Sequence, residues 1–502
     1  MLFVEPVFLF VFLPLVMLAE RISRNTGVTT RSTLLVTSGI LFYAAWSWKY
    51  LCLLLVAIVC NFGMSKLIHH DVVKGNVNQA KLLLCVAVMG NLFLLAIFKY
   101  LDFFLISFGF NSTLNLILPL AISFYTFQQV AYIVDVYRQE IKPPALMKYC
   151  SFILFFPQLI AGPIVNFKDV SRDLSQFEKS RNLVRYDLAI PYILIGLGKK
   201  LLIADPLGVF LAQQQLVMSI GETTPLLSIL TILAYGLQLY FDFSAYGDLA
   251  LGLGFALGIR LPINFDSPYK SVNIAEFWRK WHITLGRFLR DYLYIPLGGS
   301  RGSLKRTLLN LITVMLLGGL WHGAAWGYVL WGALHGFALT LYQLYKHFIH
   351  NLIHKHIKFA NKPLWLSQTS NGLSNVLTVS FVFLAWVPFY TEGVSDALMI
   401  WSSIFSYDGN VIVNANALYE LYGIEIGEVL LNITLGFTLV FFTPTSHELV
   451  SYSVRQWKSM EGSFFYSVLR HPLMLAIYTP IVMIAGKSLI VGPVAAFLYF
   501  QF

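Results

Sequence analysis

Charge is what this 502-residue chain has little of: 12% of its residues are Asp, Glu, Lys or Arg, against 57% hydrophobic. Soluble globular domains carry near 25% charged residues, so that shortfall, with a mean hydropathy of +0.69, excludes the soluble class and leaves a multi-pass membrane protein. Cysteine is scarce as well. Cys52, Cys60, Cys85 and Cys150 lie in apolar segments with neither metal-ligand spacing nor a paired framework, so a disulfide scaffold is excluded and packing roles are expected. There is no Gly-x-Ser-x-Gly elbow and no His-Glu-x-x-His helix, which removes support for a serine hydrolase or a zinc protease. No internal repeat, low-complexity tract or Pro/Ser-rich linker divides the chain, and one membrane domain over residues 1–502 is the simplest reading.

What is present is a series of apolar segments, each to be measured against the roughly 20 residues a helix needs to cross a bilayer. They fall near 3–19, 33–46, 48–65, 82–98, 103–134, 149–166, 188–212, 223–241, 307–345, 374–390, 428–444 and 471–500. Several are too short or too long for one helix, so about eleven to thirteen spans are expected. The first has no basic residues before it and is followed by Glu20 and Arg21 rather than a small-residue cleavage site, so it is expected to be retained. Re-entrant pieces are predicted at 155–158 and 161–163, where prolines and a glycine interrupt apolar sequence; broken backbone at membrane depth has to be enclosed by protein. Gly323, Gly327, Gly332 and Gly336 form small-x-x-x-small pairs that favour close helix packing. Gly252, Gly254 and Gly258 have the wrong spacing for a nucleotide loop.

The net charge of +10 is uneven: Arg260 to Arg306 holds nine Lys or Arg against three Asp or Glu. Basic connections at 21–31, 66–81, 138–148, 168–185 and 260–306 are cytoplasmic by the positive-inside rule. The last of these is flanked by spans and contains no nucleic-acid module, so no nucleic-acid partner is expected. On a helix of 3.6 residues per turn, Ile274, Phe277, Trp278, Trp281, Leu285, Phe288, Leu289 and Tyr292 fall within about 120°. Arg279, Lys280, Arg287, Arg290, Glu276 and Asp291 take the opposite side, with His282 at the border. That is the pattern of a helix lying in the membrane surface.

After that helix, Thr307 to Tyr345 contains no Asp, Glu, Lys or Arg, yet it holds His322 in Leu320-Trp321-His322-Gly323. An ionisable side chain inside a membrane span points to function, and its distance from Arg306 sets it about 15 to 20 Å deep if the segment is a straight helix. A neutral imidazole can take a proton from a hydroxyl under acylation and return it to a leaving thiolate. His335, thirteen residues on, points about 220° away in an unbroken helix and is given a structural role. His347, His350, His354 and His356 form a loose tract with no acidic or sulfur ligand, so no metal site is expected. Asp242 and Asp248, in Tyr240-Phe241-Asp242-Phe243-Ser244-Ala245-Tyr246-Gly247-Asp248, fit three roles: orienting an imidazole, binding an ion, or ending a helix.

Trp278 to His282 together with Leu320 to Gly323 resemble the membrane-bound O-acyltransferase family. So do 118–128, 132–138, 155–163, 240–248, Asn264-Phe265-Asp266-Ser267-Pro268-Tyr269 and 497–502, with Ala121 standing where glycine is expected. Within the family the likeness is to the branch that serves alginate O-acetylation. The resemblance implies an all-α bundle with amphipathic cytoplasmic-face helices around a central tunnel and a catalytic region near 240–345. It implies His322 as catalytic base with His282 nearby, and Trp278, Trp321, Asp242 and Asp248 as tunnel-lining or orienting groups. It also implies an acetyl-coenzyme A or acyl-carrier donor on the cytoplasmic side and no bound cofactor. Charge-assisted hydrogen bonds from Arg279, Lys280, Arg287, Arg290 and Arg301 suit such a phosphate-rich donor. In that branch the acetyl group crosses the bacterial inner membrane to a periplasmic acetyltransferase and other exopolysaccharide pathway proteins. Cellulose or peptidoglycan acetylation, D-alanyl transfer to teichoic acid, and a transporter or flippase are the competing readings; for the last, no paired halves are visible.

Overall fold

The computed structural model describes residues 3–110, 114, 116–160, 162–179, 184–219, 223–350, 364–405, 423–459 and 497–498. Every regular element among them is helical. The described chain groups into two compact units: 1–198 with 245–263 and 446–501, and 199–244 with 264–445.

The first unit begins with a π-helical turn, Phe8–Phe12, that runs into α1 (Leu13–Ser23). It continues through α2 (Val28–Ala44), α3 (Trp48–Val73), α4 (Val77–Ser107), α5 (Ile122–Tyr137), α6 (Leu146–Ile153), α7 (Phe156–Leu159), α8 (Phe167–Glu178) and α9 (Tyr186–Lys199). On α3 the buried residues Leu51, Leu54, Ile58, Asn61, Ser65 and Ile68 alternate three and four apart, which makes one continuous stripe down the helix. Its other side exposes Val56, Val59 and Leu67, as a lipid-facing surface does. The buried stripe of α4 is Ala80, Ala87, Asn91 and Leu95. Small and amide side chains go inward because between membrane helices close packing and hydrogen bonds provide the adhesion. Asn91 donates to Asn61 at 2.6 Å, and Asn61 donates to Gln129 of α5 at 2.8 Å.

Backbone breaks occur where the sequence predicts re-entrant pieces. α6 and α7 are separated by Leu154 and Phe155, and the whole stretch from Tyr149 to Ile160 other than Cys150 is buried. The Gln158 amide donates to the Phe152 carbonyl at 2.7 Å, so the interrupted backbone is satisfied inside protein.

The second unit holds a π turn at Lys200–Ala204, α10 (Asp205–Ser219) and the first part of α11 (Pro225–Ala256), which passes into the first unit at Ala245. It continues through α12 (Ile274–Lys280), α13 (Ile283–Leu289), α14 (Leu304–His322), α15 (Trp326–Tyr345), α16 (Leu364–Ala385), α17 (Val387–Thr391), α18 (Val394–Ser403) and α19 (Ile426–Phe442). α20 (Ser446–Ser459) belongs to the first.

Two expected helices are broken. The run 307–345 is a helical hairpin: α14 ends at His322, Gly323 and Ala325 are extended on either side of a bend at Ala324, and α15 runs back. Glycines permit the contact, since a Cβ on Gly319 would lie 2.2 Å from the Tyr328 carbonyl oxygen and one on Gly332 would lie 2.4 Å from that of Met315. His322 lies sixteen residues beyond Arg306 in α14, a rise of about 24 Å, so it stands farther along the helix than the 15 to 20 Å expected. The amphipathic helix 274–292 also breaks, because Trp281 is extended and His282 has φ +42°. Its apolar face is nevertheless the buried one, with Ile274, Phe277, Trp281, Leu285, Phe288 and Leu289 inside.

Five described helical segments are long and apolar enough to cross a membrane: α3, α4, α11, α14 and Thr369–Thr391. A sixth counts if α19 is joined to the start of α20 across a 62° bend. The expected eleven to thirteen counts every apolar segment, whereas those at 3–19, 149–166 and 188–212 are divided by π turns or extended residues. The segment 471–500 lies outside the described residues, apart from 497 and 498. Cys52, Cys60 and Cys85 are exposed and Cys150 half-buried, which corrects the expected packing role: on lipid-facing sides of α3 and α4 a thiol is simply a small apolar group.

Candidate active site

α14, α15, the α12–α13 pair and α17 of the second unit build an aromatic box. His322, buried at the end of α14, packs against Trp321 at 4.9 Å, Trp331 at 5.1 Å and Phe389 at 5.0 Å between ring centroids. His282 lies on the other side of Trp321, 6.3 Å from its ring, with Phe243 edge-on at 4.7 Å. Trp331 also touches His335 at 4.9 Å. The broken run therefore brings His335 into the same box as His322, and its expected direction away from His322 is corrected: that direction held only for an unbroken helix.

Local sequence alone does not favour the left-handed conformation of His282. Asn264 holds it. Its side-chain oxygen accepts from Thr284 N at 3.2 Å and Thr284 Oγ1 at 2.9 Å, and lies 3.0 Å from His282 Nδ1. The Asn264 carbonyl accepts from Ile283 N at 2.9 Å. An oxygen that takes the Thr284 N–H is an acceptor towards His282 too, so His282 carries its proton on Nδ1 and presents a lone pair at Nε2. Burial pushes the His282 pKa down to about 3, keeping the ring neutral.

His335 is fixed in the opposite tautomer. The Trp278 indole N–H donates to its Nδ1 at 3.3 Å, which leaves the proton on Nε2. Trp278 also forms part of the wall of a cavity of about 450 Å³ whose apolar lining includes Ile283, Leu311, Val314, Met315 and Leu339, with Arg279, Arg287, Arg290 and Tyr294. The cavity lining thus combines three arginines with a mainly apolar wall.

The structure brings together most of the residues the sequence singles out, and leaves some apart. His282, His322, Trp278 and Trp321 share the box; Arg279, Arg287 and Arg290 share the cavity. Lys280 instead pairs with Glu276 at 2.8 Å, one helical turn back. Arg301 is exposed beyond α13 and does not line the cavity. Asp242 binds Lys200 Nζ at 2.7 Å, and Lys200 also pairs with Asp205 at 2.8 Å. Asp248, in the first unit, accepts from Ser446 Oγ at 2.8 Å. Both aspartates lie inside α11, which corrects the helix-ending reading: α11 continues through them. Among the described residues no group of three His, Cys, Asp or Glu gathers as a metal site; His354 and His356 lie outside those residues.

Sequence reasoning did not single out Trp331, met Asn264 only within a family-like motif, and gave His335 a structural role rather than a place in the box. Asn264 carried a signal, as a lone amide in the apolar stretch before Phe265. Gly323, directly after His322, was the mark of the break that turns His335 and Trp331 inward.

Comparison with known proteins places the sequence beside membrane acyltransferases. The family model for membrane-bound O-acyltransferases matches residues 134–362. The chain is 38% identical over 448 residues to the peptidoglycan O-acetyltransferase of Helicobacter pylori, covering 82% of this chain and 80% of that one. It is 37% identical over 444 residues to the probable alginate O-acetylase AlgI of Pseudomonas aeruginosa, covering 86% and 80%. With the teichoic acid D-alanyltransferase of Streptococcus thermophilus it shares 28% identity over 291 residues, 56% of this chain and 70% of that protein.

Proposed function

The chain belongs to the membrane-bound O-acyltransferase family, and from that premise and the site we infer an acetyltransferase that moves an acetyl group from a cytoplasmic thioester across the bacterial inner membrane to an exopolysaccharide. The observation that carries this reading is the pairing of an imidazole, His322, in a water-poor aromatic box with a neighbouring cavity lined by three arginines and mainly apolar side chains.

The donor of best fit is acetyl-coenzyme A. Its phosphates suit Arg279, Arg287 and Arg290, and its pantetheine arm suits the apolar wall. His322 then takes the proton of the attacking hydroxyl while the hydroxyl oxygen bonds to the thioester carbonyl carbon. As the tetrahedral intermediate collapses, the C–S bond breaks and the thiolate takes the proton from His322. His282, neutral and 6.3 Å from the Trp321 ring, completes the wall of the box. A periplasmic acetyltransferase collects the acetyl group on the far side, with alginate as the final acceptor. Peptidoglycan is the second reading, favoured by the likeness to the Helicobacter pylori enzyme.

Sealed vesicles containing the protein test the reading. Acetyl-coenzyme A carrying a labelled acetyl group is added on the cytoplasmic face, with the partner acetyltransferase and either alginate or peptidoglycan strands inside. Label is expected on the enclosed polymer while free thiol accumulates outside. Coenzyme A found inside would mean that the intact molecule is carried across, and would refute the acyltransferase mechanism in favour of transport.

A further inference from the structure

Around His322 the box contains buried N–H groups with no acceptor among the described residues, among them Nε2 of His335, Nε1 of Trp331 and Nε1 of Trp386, whose ring stacks on Trp331 at 5.5 Å. The His335 and Trp331 side chains are essentially fully buried, at 0% and 1% exposure. Buried donors are almost always satisfied, and one that is not asks for an explanation. Those of His335 and Trp331 are on rings 4.9 Å apart, and the Trp331 ring stands edge-on to His322.

We propose that His335 and Trp331 are the oxyanion donors of the acyl-transfer step. This rests on the reading of His322 as base. When the hydroxyl oxygen bonds to the thioester carbon and its proton passes to His322, the carbonyl π pair moves onto the carbonyl oxygen. That oxygen becomes the acceptor the two N–H groups lack. When the intermediate collapses, the pair returns, the C–S bond breaks, and the thiolate leaves with the proton from His322. Donors set in place before the charge develops, in a site that excludes water, stabilise the transition state most effectively.

The tautomer of His335 is set for this task. Trp278 donates to Nδ1, so Nε2 must carry the hydrogen, and Trp278 is itself a wall of the cavity assigned to the donor. The group that meets the thioester arm is therefore the group that fixes the oxyanion donor. Neither unmade N–H is in contact with water-sized space, so the rings have to part to admit an acyl group, and water is kept from the thioester until then.

The test uses the full chain in proteoliposomes with acetyl-coenzyme A, following thiol release and label on the acceptor as a function of donor concentration. Wild type is compared with His335→Phe, which removes the N–H but keeps a ring, and His335→Gln, which restores an N–H. Trp331→Phe and His322→Ala complete the set, all at equal membrane insertion. Expected is a loss of roughly 10²-fold or more in kcat for His335→Phe with KM little changed, partial recovery in His335→Gln, and a smaller kcat loss in Trp331→Phe. Wild-type kcat in His335→Phe, or equal losses in the Phe and Gln variants with raised KM, would overturn the assignment and leave His335 a packing residue. Full activity in His322→Ala, or no thiol release by wild type, would refute the underlying reading instead, and that pattern does not depend on residue 335.

Discussion

Replacing Asn264 by alanine removes one oxygen that serves three donors. Thr284 N, Thr284 Oγ1 and His282 Nδ1 all meet it within 3.2 Å, at side chains only 1 to 3% exposed. The Thr284 hydroxyl can rotate to another acceptor. The backbone N–H and the imidazole N–H are fixed, and each buried donor left unmade costs about 1 to 3 kcal/mol. A loss of about 2 to 5 kcal/mol is therefore expected, and it falls on the left-handed turn that orients His282. The Ile283 N–H bond to the Asn264 carbonyl survives the substitution, so the turn loosens without the segment at Asn264 detaching. The assay is twofold: unfolding in detergent followed by tryptophan fluorescence, and histidine ¹⁵N NMR, which reads the tautomer directly. Wild type should show His282 protonated on Nδ1, and Asn264→Ala should show a mixture with an earlier unfolding midpoint. An unchanged midpoint together with an unchanged His282 tautomer would refute the role assigned to Asn264.

Two further outcomes follow from backbone and burial. Ala121 sits at φ +62° at the start of α5, where a Cβ is disfavoured by about 1 to 2 kcal/mol; Ala121→Gly, after the entropy glycine loses, should raise unfolding stability by roughly 0.5 to 1 kcal/mol, and a destabilised variant would contradict the strain. His282 protonates near 6.5 when unfolded but at about 3 when folded. The unfolded chain thus takes up the proton first, and stability falls as pH drops from 6.5 towards 3. Between pH 7 and pH 5 the wild type should lose about 2 kcal/mol more than His282→Gln; equal losses would show that His282 is not buried as a neutral ring.

Much of this was legible in the chain. Six of the eight apolar-face residues of 274–292 are buried and Trp278 and Tyr292 half-buried, because periodicity encodes which side faces protein whether or not the helix is continuous. The break at His282 was not legible, since neither glycine nor proline marks it; it is imposed by Asn264, eighteen residues earlier. The α14–α15 hairpin was hidden for a different reason. Its turn, buried at Gly323 and half-buried at Ala324 and Ala325, carries none of the charged residues that mark turns in water. Arg279, Arg287 and Arg290 were found by charge alone, while Lys280 and Arg301 were not separable from them, because a run of basic residues does not reveal which members face a cavity. The unusual glycine-to-alanine change at 121 was visible as a departure from the family pattern, and its positive φ is the physical reason glycine is expected there.

The central claim is that the His322 imidazole is the base for acyl transfer. The most direct measurement is the acetyl content of the polymer made by cells whose protein carries His322→Ala, with membrane level and unfolding midpoint matched to wild type. General acid–base catalysis contributes roughly 10²- to 10⁴-fold, so acetylation should fall to background while the protein remains inserted and folded. Polymer acetylated near the wild-type level would contradict the account.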